Sequence, residues 1–299
     1  MADGAAMTEK RPGQVRTLIE TAWVASALVA VLEQPGRPDD DPAAEVLAAA
    51  GLAERTPGGW TLTPEMAAET EGQPVSAAAS IRSALGQAAA ITAGGADWTR
   101  YDKSVLLAQG QMSAPGGRGM ANLIRSVPEL SAAFEQQGVF LDVGVGVAGL
   151  ACVFCEAMPG ARVIGLDVHA PALALARAAI AEKGLEPRIE LRLQAVQDLR
   201  DSEVADLAHI SPPFISPSVL GEALARLHRA LKPGGWLALS GLTTEGPAGA
   251  IGRWQAINAG GSAVTQQECA ELLKTAGFEP PARQALPPGA PVVLVCRRP

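Results

Sequence analysis

The stretch LDVGVGVAGL, residues 141–150, joins a short apolar run to a segment of helical character. Its glycines, Gly144, Gly146 and Gly149, form the pattern G-x-G-x-x-G. Glycines at this spacing let the backbone turn sharply and approach a ligand closely. The stretch therefore predicts a strand, a ligand-binding turn and a helix, although the pattern alone is a weak indicator of any particular cofactor.

An aspartate lies near the end of the next strand-like run. Asp167 stands in VIGLDV, about 18 residues after Gly149. A carboxylate at this place can accept hydrogen bonds from both hydroxyls of an adenosine ribose. The glycines and Asp167 together predict a cofactor that contains adenosine.

A second acidic residue bears on the choice of cofactor. Asp142 precedes Gly144 by two residues, at the strand end where the cationic amino group of S-adenosylmethionine would lie and where a pyrophosphate would be repelled. The sequence therefore favours S-adenosylmethionine. An NAD(P)-dependent oxidoreductase remains the alternative enzyme, because dinucleotide-binding proteins share the glycine pattern and the acidic residue after it.

Beyond this stretch, strand-like runs alternate with helical segments, which predicts an α/β fold with a parallel sheet. The runs are VFLDVGV, ARVIGLDV, RIELRLQA, VADLAHI and GWLALSG. The segment LKPGG predicts a turn at Pro233 to Gly235 between a helix and a strand. A helix that opens with the capping box Thr265-x-x-Glu268 precedes PVVLVCRRP, which would close the sheet.

The first third of the chain reads as mainly helical. Apolar residues at helical spacing predict one helix from Gln14 to about Glu33 and another from Val75 to about Ile91. Between them, PAAEVLAAAG predicts a helix and LAERTPGGWTLTPE a β-hairpin. The most apolar run, TAWVASALVAVL, is shorter than the roughly 20 residues of a membrane span. We therefore expect a buried helix and no membrane partner.

The order LDVGVGVAG, GLDV, LKPGGWLALSG and a late AGF resembles class I S-adenosylmethionine-dependent methyltransferases, over about the last 160 residues. More loosely, the first half with its GGWTLTPE hairpin resembles the helical and winged dimerisation domain of methyltransferases that modify natural products. The resemblance implies a Rossmann-like seven-stranded sheet with a reversed last strand and a smaller, mainly helical N-terminal domain. It also implies a homodimer and a small-molecule acceptor.

These considerations divide the chain into four parts. Residues 1–13 are expected to be a disordered tail, and residues 14–95 a helical and winged domain for dimerisation and for covering the substrate. Connector helices would occupy 96–138, and the cofactor-binding methyltransferase domain 139–299.

The resemblance also assigns residues to parts of the cofactor. Gly144 and Gly146 would line its methionine part, and Asp167 its ribose. Many relatives carry an acidic residue beside adenine, where LQAVQDL has Ala195, which leaves Gln194, Gln197 or Asp198 for the exocyclic amine. The full set of expected cofactor residues is Asp142, Gly144, Gly146, Gly149, Asp167, Val168, Gln194, Ala195, Val196, Ser211, Gln109 and Gly110.

Two residues are candidates for a catalytic role. His209 is the one histidine expected on a strand face beside the site, although histidines inside apolar strands are more often structural. Tyr101, the only tyrosine, lies with Gln109 and Gly110 in a segment that the resemblance places over the methionine end or the substrate; the alternative is ordinary packing. Because methyl transfer from a sulfonium is an in-line displacement, proximity alone could suffice.

The segment Ser211-Pro212-Pro213-Phe214 looks like the [DNS]PP[YF] motif of enzymes that methylate amino groups of nucleic-acid bases. Against this interpretation, two prolines also simply end a strand. The net charge of −7 disfavours contact with phosphate backbones, so we expect no nucleic-acid partner.

The four cysteines make no disulfide framework, which favours the cytoplasm. Cys152-x-x-Cys155 lacks a second pair of metal ligands and lies on a predicted helix, so we expect core cysteines and no metal site. A third hypothesis is a methyltransferase fold that binds its cofactor without transferring methyl, because acid–base side chains are scarce. The acceptor atom, whether oxygen, nitrogen or carbon, stays open.

Overall fold

The computed structural model describes residues 13–34, 41–70, 74–94, 101–242, 244–283 and 293–299. The tail expected at 1–13 lies outside these residues except for Gly13. The chain forms two compact units, Met1–Leu85 and Gly86–Pro299.

The first unit combines helices with one hairpin, as the sequence predicts. It contains α1 (Gln14–Glu33), α2 (Pro42–Ala49), β1 (Ala53–Thr56), β2 (Gly59–Leu62), α3 (Pro64–Thr70) and the first part of α4 (Pro74–Thr92). The Asp41 side chain accepts the backbone N–H of Ala43 and so caps α2. A small core forms around Ala27, Leu28, Leu47 and Ala53.

Helix α1 differs from the expectation of a buried helix. Only Ala27, Leu28 and Val29 are buried within it, because the small core of this unit contacts only the last part of the helix. Trp23 is 70% exposed, and Val15, Leu18 and Ile19 are exposed as well. Over its 20 residues, α1 is long and apolar enough to cross a membrane by length and composition alone. Its most apolar run is shorter than a membrane span when it is counted by itself.

The boundary between the units lies within α4, about ten residues before the predicted end of the N-terminal domain at residue 95. Beyond Leu85 the chain packs with the larger unit: a Cβ placed on Gly86 would lie 2.5 Å from Cγ2 of Val105. Residues 96–138 contain α5 (Lys103–Ser126) and α6 (Pro128–Glu135), and residues of both enter the core of the larger unit.

The larger unit is built on a seven-stranded sheet in the order β5-β4-β3-β6-β7-β9-β8. The strands are β3 (Val139–Val143), β4 (Arg162–Asp167), β5 (Ile189–Leu193), β6 (Ala205–Ile210), β7 (Leu231–Ser240), β8 (Ala282–Arg283) and β9 (Val293–Arg297). Strands β3 to β7 are parallel, whereas β9 runs antiparallel to β7. This confirms the Rossmann-like sheet with a reversed last strand.

Helices lie on both faces of this sheet. They are α7 (Gly149–Ala157), α8 (Ala170–Glu182), α9 (Pro217–Ala230), α10 (Gly246–Asn258) and α11 (Gln266–Thr275). Side chains alternate along a strand, so that Phe140 joins a core with α5 and α7, whereas Leu141 joins a core with α9 and α11. The predicted capping box of α11 is present at Thr265 and Glu268.

The Pro-Gly-Gly segment differs from the predicted turn before the strand. It lies inside β7, where the register shifts between the pairs Ala205↔Leu231 and Leu207↔Trp236. Gly234 has a φ of 78°, so the strand bends there. Leu231 before it and Trp236 after it both pair with β6, so the bend does not end the strand.

Candidate cofactor and acceptor site

The strand order reverses between β3 and β6, and ligands of α/β sheets bind in the crevice at the carboxyl ends of the strands at such a point. The glycine turn follows β3 at this position. Gly144 and Gly146 have φ values of 77° and 56°. A Cβ on Gly144 would meet nothing within 4 Å. The first two glycines therefore border open space that a ligand can occupy.

The third glycine of the pattern has a different role. A Cβ on Gly149 would lie 2.0 Å from the carbonyl oxygen of Gly110 in α5. A Cβ on Gly110 would in turn lie 2.1 Å from Cγ2 of Val147 in the turn. Gly149 thus lies against Gly110, and Gly110 lies against Val147 of the glycine turn. These two predicted cofactor residues allow α5 to pack closely on the turn.

Asp167 is fixed by backbone N–H groups at the end of β4. Its Oδ2 accepts the N–H of Gly146 at 2.8 Å, and its Oδ1 accepts the N–H of His169 at 2.8 Å. Burial raises the pKa of Asp167, while these two hydrogen bonds act in the opposite direction. Each carboxylate oxygen keeps one more lone pair, so the side chain can accept the two hydroxyls of a ribose.

Asp142 lies in a buried chain of three side chains. Its Oδ1 is 2.9 Å from Nδ1 of His209, and Nε2 of His209 is 2.9 Å from Oγ of Ser240. Ser211 extends the chain, because its hydroxyl donates to the carbonyl oxygen of Ser240 at 3.3 Å. The structure thus brings together three predicted residues, Asp142, His209 and Ser211, and adds Ser240, which sequence reasoning missed. Its only signal was a polar residue at the end of an apolar strand.

The predicted adenine residues follow β5 beside Asp167. The N–H of Gln194 donates to the carbonyl oxygen of Asp167, and its side-chain amide donates to the carbonyl oxygen of Asp198. Val196 is buried at the start of a short 3-10 turn, and Ala195 is half-buried. Val168 is 66% exposed and therefore offers an apolar surface at this edge.

The segment with Tyr101 contacts the glycine turn. Tyr101 is buried in a cluster with Val105, Leu106, Val147 and Ala172. This burial among apolar side chains agrees with ordinary packing, the alternative to a catalytic role. Asp102 begins α5 by accepting the N–H of Ser104 and of Val105, and the helix carries Gln109 and Gly110 past the turn.

The Ser-Pro-Pro-Phe segment forms a short 3-10 turn, Pro212–Phe214, directly after β6. The carbonyl oxygen of Pro212 accepts the N–H of Ser262, and Phe214 is 39% exposed. The prolines therefore end β6 as expected, and an aromatic ring lies close to the carboxyl end of the strand.

The cysteine pair lies in α7, away from any set of metal ligands. Cys152 and Cys155 are buried and free, and burial raises the pKa of Cys155 to about 11, so the thiol stays protonated at neutral pH. Among the residues that the structure describes, no group of three His, Cys, Asp or Glu side chains could hold a metal ion.

The comparisons with known proteins agree with this geometry. Residues 140–235 match the family model "Methyltransferase domain". The demethylmenaquinone methyltransferase of Thermus thermophilus is 35% identical over 99 residues, which are 33% of this chain and 44% of that protein. The chain therefore spans less than half the length of this curated relative.

Solved structures match nearly the whole chain. One is a Nostoc punctiforme protein assigned to the O-methyltransferases, with a TM-score of 0.70, 16% identity and coverage of 95% of this chain and 97% of that one. Human N-acetylserotonin methyltransferase, in complex with S-adenosylmethionine, gives 0.65, 16% and 99% of each chain. Mitomycin 7-O-methyltransferase gives 0.64, 18%, 95% and 97%. Residues 140–235 therefore match a methyltransferase domain, and the chain as a whole shares the fold of these solved methyltransferases.

Proposed function

We propose that this protein transfers the methyl group of S-adenosylmethionine to a small-molecule acceptor in secondary metabolism. The observation that carries the proposal is the open space beside Gly144 and Gly146, with the fixed carboxylate of Asp167 on the N–H of Gly146 and with Asp142 two residues before Gly144 in the chain. An adenosine cofactor with a cationic amino acid tail fits this arrangement, because one carboxylate can receive the ribose and the other the ammonium group.

When bound, the cofactor supplies an electrophilic methyl group on a sulfonium. The residues of the chain then have to bind, align and desolvate. Asp167 would hold the ribose, Val168 and the segment Gln194–Val196 the adenine, and the glycine turn the methionine part. Both ring nitrogens of His209 already contact protein groups, which disfavours the hypothesis that His209 accepts a proton from the acceptor directly.

A small acceptor is supported by charge and by similarity. The net charge of −7 disfavours nucleic acid as the acceptor. The names of two solved structures with the same fold, mitomycin 7-O-methyltransferase and N-acetylserotonin methyltransferase, refer to small molecules. Phe214 offers the acceptor an aromatic surface at the end of β6.

We also propose that the protein is a cytoplasmic homodimer. The exposed apolar residues of α1 are the surface that a second copy would cover, since apolar patches of this kind mark interaction sites. The free, buried cysteines are typical of a reducing compartment.

The alternatives make different predictions. An NAD(P)-dependent oxidoreductase would use the same glycine pattern and Asp167, but Asp142 would repel its pyrophosphate. A protein that keeps the fold without methyl transfer would bind the cofactor and never turn it over.

The test is incubation of the purified protein with S-adenosylmethionine and a panel of acceptors that contains phenols, amines and compounds with a nucleophilic carbon atom. We expect release of S-adenosylhomocysteine together with an acceptor that is heavier by one methyl group. Cofactor binding with no turnover across the panel favours the non-transferring alternative, and binding of NADH alone favours the oxidoreductase.

A further inference from the structure

Three side chains from neighbouring strands form one row across the carboxyl end of the sheet. Asp142 in β3 pairs with His209 in β6, and His209 pairs with Ala238, two residues before Ser240 in β7. Residues two apart in a strand point to the same face. Asp142, His209 and Ser240 therefore face the side of the sheet that α5 and α7 cover.

The chemistry of the groups determines the direction of the hydrogen bonds. A carboxylate only accepts, so Nδ1 of His209 carries the proton that is donated to Asp142. In the neutral ring Nε2 is then the acceptor, and the hydroxyl of Ser240 donates to it. Ser240 thereby keeps the ring in the tautomer that Asp142 needs.

This row of side chains is buried, so the loss of a hydrogen bond within it is costly. The side chains of His209 and Asp142 are only 9% and 5% exposed, and a buried carboxylate without partners is strongly disfavoured. Among the hydrogen bonds between described residues, Asp142 uses Oδ1 alone, for His209. The rotation of the carboxylate, and so the direction of Oδ2, depends on the imidazole ring.

We propose that His209 and Ser240 are positioning residues that aim the Asp142 carboxylate at the ammonium group of the cofactor's methionine part. The inference rests on the proposed function, since it requires a cofactor with that ammonium group. It assigns His209 no direct contact with the acceptor: the ring acts through Asp142, and Ser240 acts through the ring.

The test compares two ligands that share the adenosine and the sulfur. S-adenosylhomocysteine carries the amino acid part, whereas 5′-methylthioadenosine lacks it, the ammonium group and the carboxylate included. Calorimetric titration of each protein with each ligand gives a ratio of affinities. A residue that merely supports the fold would weaken both ligands equally, but a residue that positions Asp142 weakens S-adenosylhomocysteine alone.

Two substitutions of His209 separate its hydrogen bonds. The amide nitrogen of Asn is attached to Cγ, as Nδ1 of histidine is, so His209→Asn can still donate to Asp142. The longer side chain of Gln places its amide nitrogen near the position of Nε2, so His209→Gln can reach Ser240 but loses the bond to Asp142. The matched control is His228→Asn, at a partly buried histidine that packs edge-on against Phe278, away from the site.

We expect His209→Gln and Asp142→Asn to weaken S-adenosylhomocysteine about tenfold or more, as for a lost hydrogen bond to a charged group, with 5′-methylthioadenosine unchanged. His209→Asn should stay within about threefold of the unaltered protein, and Ser240→Ala should fall between the two. His228→Asn should leave the ratio of affinities unchanged.

The outcomes separate this inference from the proposed function. If the unaltered protein binds neither ligand, both are overturned. If it binds both ligands and His209→Gln weakens them equally, or lowers turnover with no change in either affinity, only the positioning role is overturned. Lower turnover with both affinities unchanged would make His209 a proton acceptor.

Discussion

At the scale of single residues, the two aspartates of the site have different partners. Asp167 is held by the N–H groups of Gly146 and His169, which only the backbone conformation places there. Asp142 is held by the His209 side chain. A substitution at His209 can therefore alter Asp142 selectively, whereas the geometry of Asp167 depends on the turn as a whole.

His228 yields a prediction about stability and pH. Burial lowers the pKa of His228, and Arg298 lowers it further. The unfolded chain therefore binds the proton more readily, and stability falls as the pH drops through the ordinary histidine value of 6.5 toward the lower folded value. Replacing His228 with Asn should reduce the loss of unfolding free energy between about pH 7.5 and about pH 5.5, a range that brackets the titration of histidine.

Urea unfolding at the two pH values measures this effect. A matched substitution at an exposed position, Thr275→Asn, should leave the pH dependence as in the unaltered protein. An equal pH dependence of the His228→Asn variant and the unaltered protein would show that His228 titrates alike in the folded and unfolded chains.

The sequence predicted the proximity of those residues of the candidate site that belong to a short local pattern. Asp142, Gly144, Gly146 and Asp167 come together because a strand, a turn and a second strand follow one another. Ser240 could not be found in this way, since its contact with His209 joins residues 31 apart, and the pairing depends on the register of β6 with β7. Strand register is a property of the folded sheet.

At the scale of elements, the packing of α5 on α7 depends on glycine. A Cβ on Gly117 would lie 2.5 Å from the carbonyl oxygen of Leu150 and 2.6 Å from the backbone nitrogen of Phe154. A Cβ on Gly119, two residues later in the same helix, would meet nothing within 4 Å. These two glycines form a matched pair for mutation.

We expect Gly117→Ala to destabilise the protein by about 1–3 kcal/mol, because the added methyl group pushes the two backbones apart. Gly119→Ala should be neutral or stabilising by up to about 1 kcal/mol, because alanine is a better helix former than glycine and its methyl group meets no neighbour there. The free energy of unfolding in urea is the measurement. Equal effects of the two substitutions would contradict close backbone packing at Gly117.

The elements themselves were largely predictable, and the exceptions have physical reasons. Periodicity and the capping box located α1, α4 and α11, because both signals are local. The segment Pro233–Gly235 has the composition of a turn, but pairing of Leu231 with β6 draws it into the strand. Likewise, periodicity predicted α1 but not its exposure, since exposure depends on what packs against the helix.

At the scale of the whole molecule, the exposed apolar face of α1 concerns assembly. We expect Leu18→Glu to shift a dimer toward monomer, because the new charge would be buried in the interface. Thr17→Glu, which adds the same charge at an exposed position on the side of the helix opposite the apolar face, should not. Light scattering coupled to size exclusion measures the mass of each variant. Dimerisation through this face would be contradicted if the unaltered protein were monomeric, or if both variants had the same mass.

The central claim, that the site holds S-adenosylmethionine through the glycine turn and Asp167, has a direct test. Calorimetric titrations with S-adenosylhomocysteine and with NADH are made on the unaltered protein and on Asp167→Ala. We predict that S-adenosylhomocysteine binds, that NADH does not, and that the substitution weakens binding by about 1.5–3 kcal/mol, as expected for lost hydrogen bonds to a carboxylate. Binding of NADH alone, or an affinity for S-adenosylhomocysteine that the substitution leaves unchanged, would contradict the account.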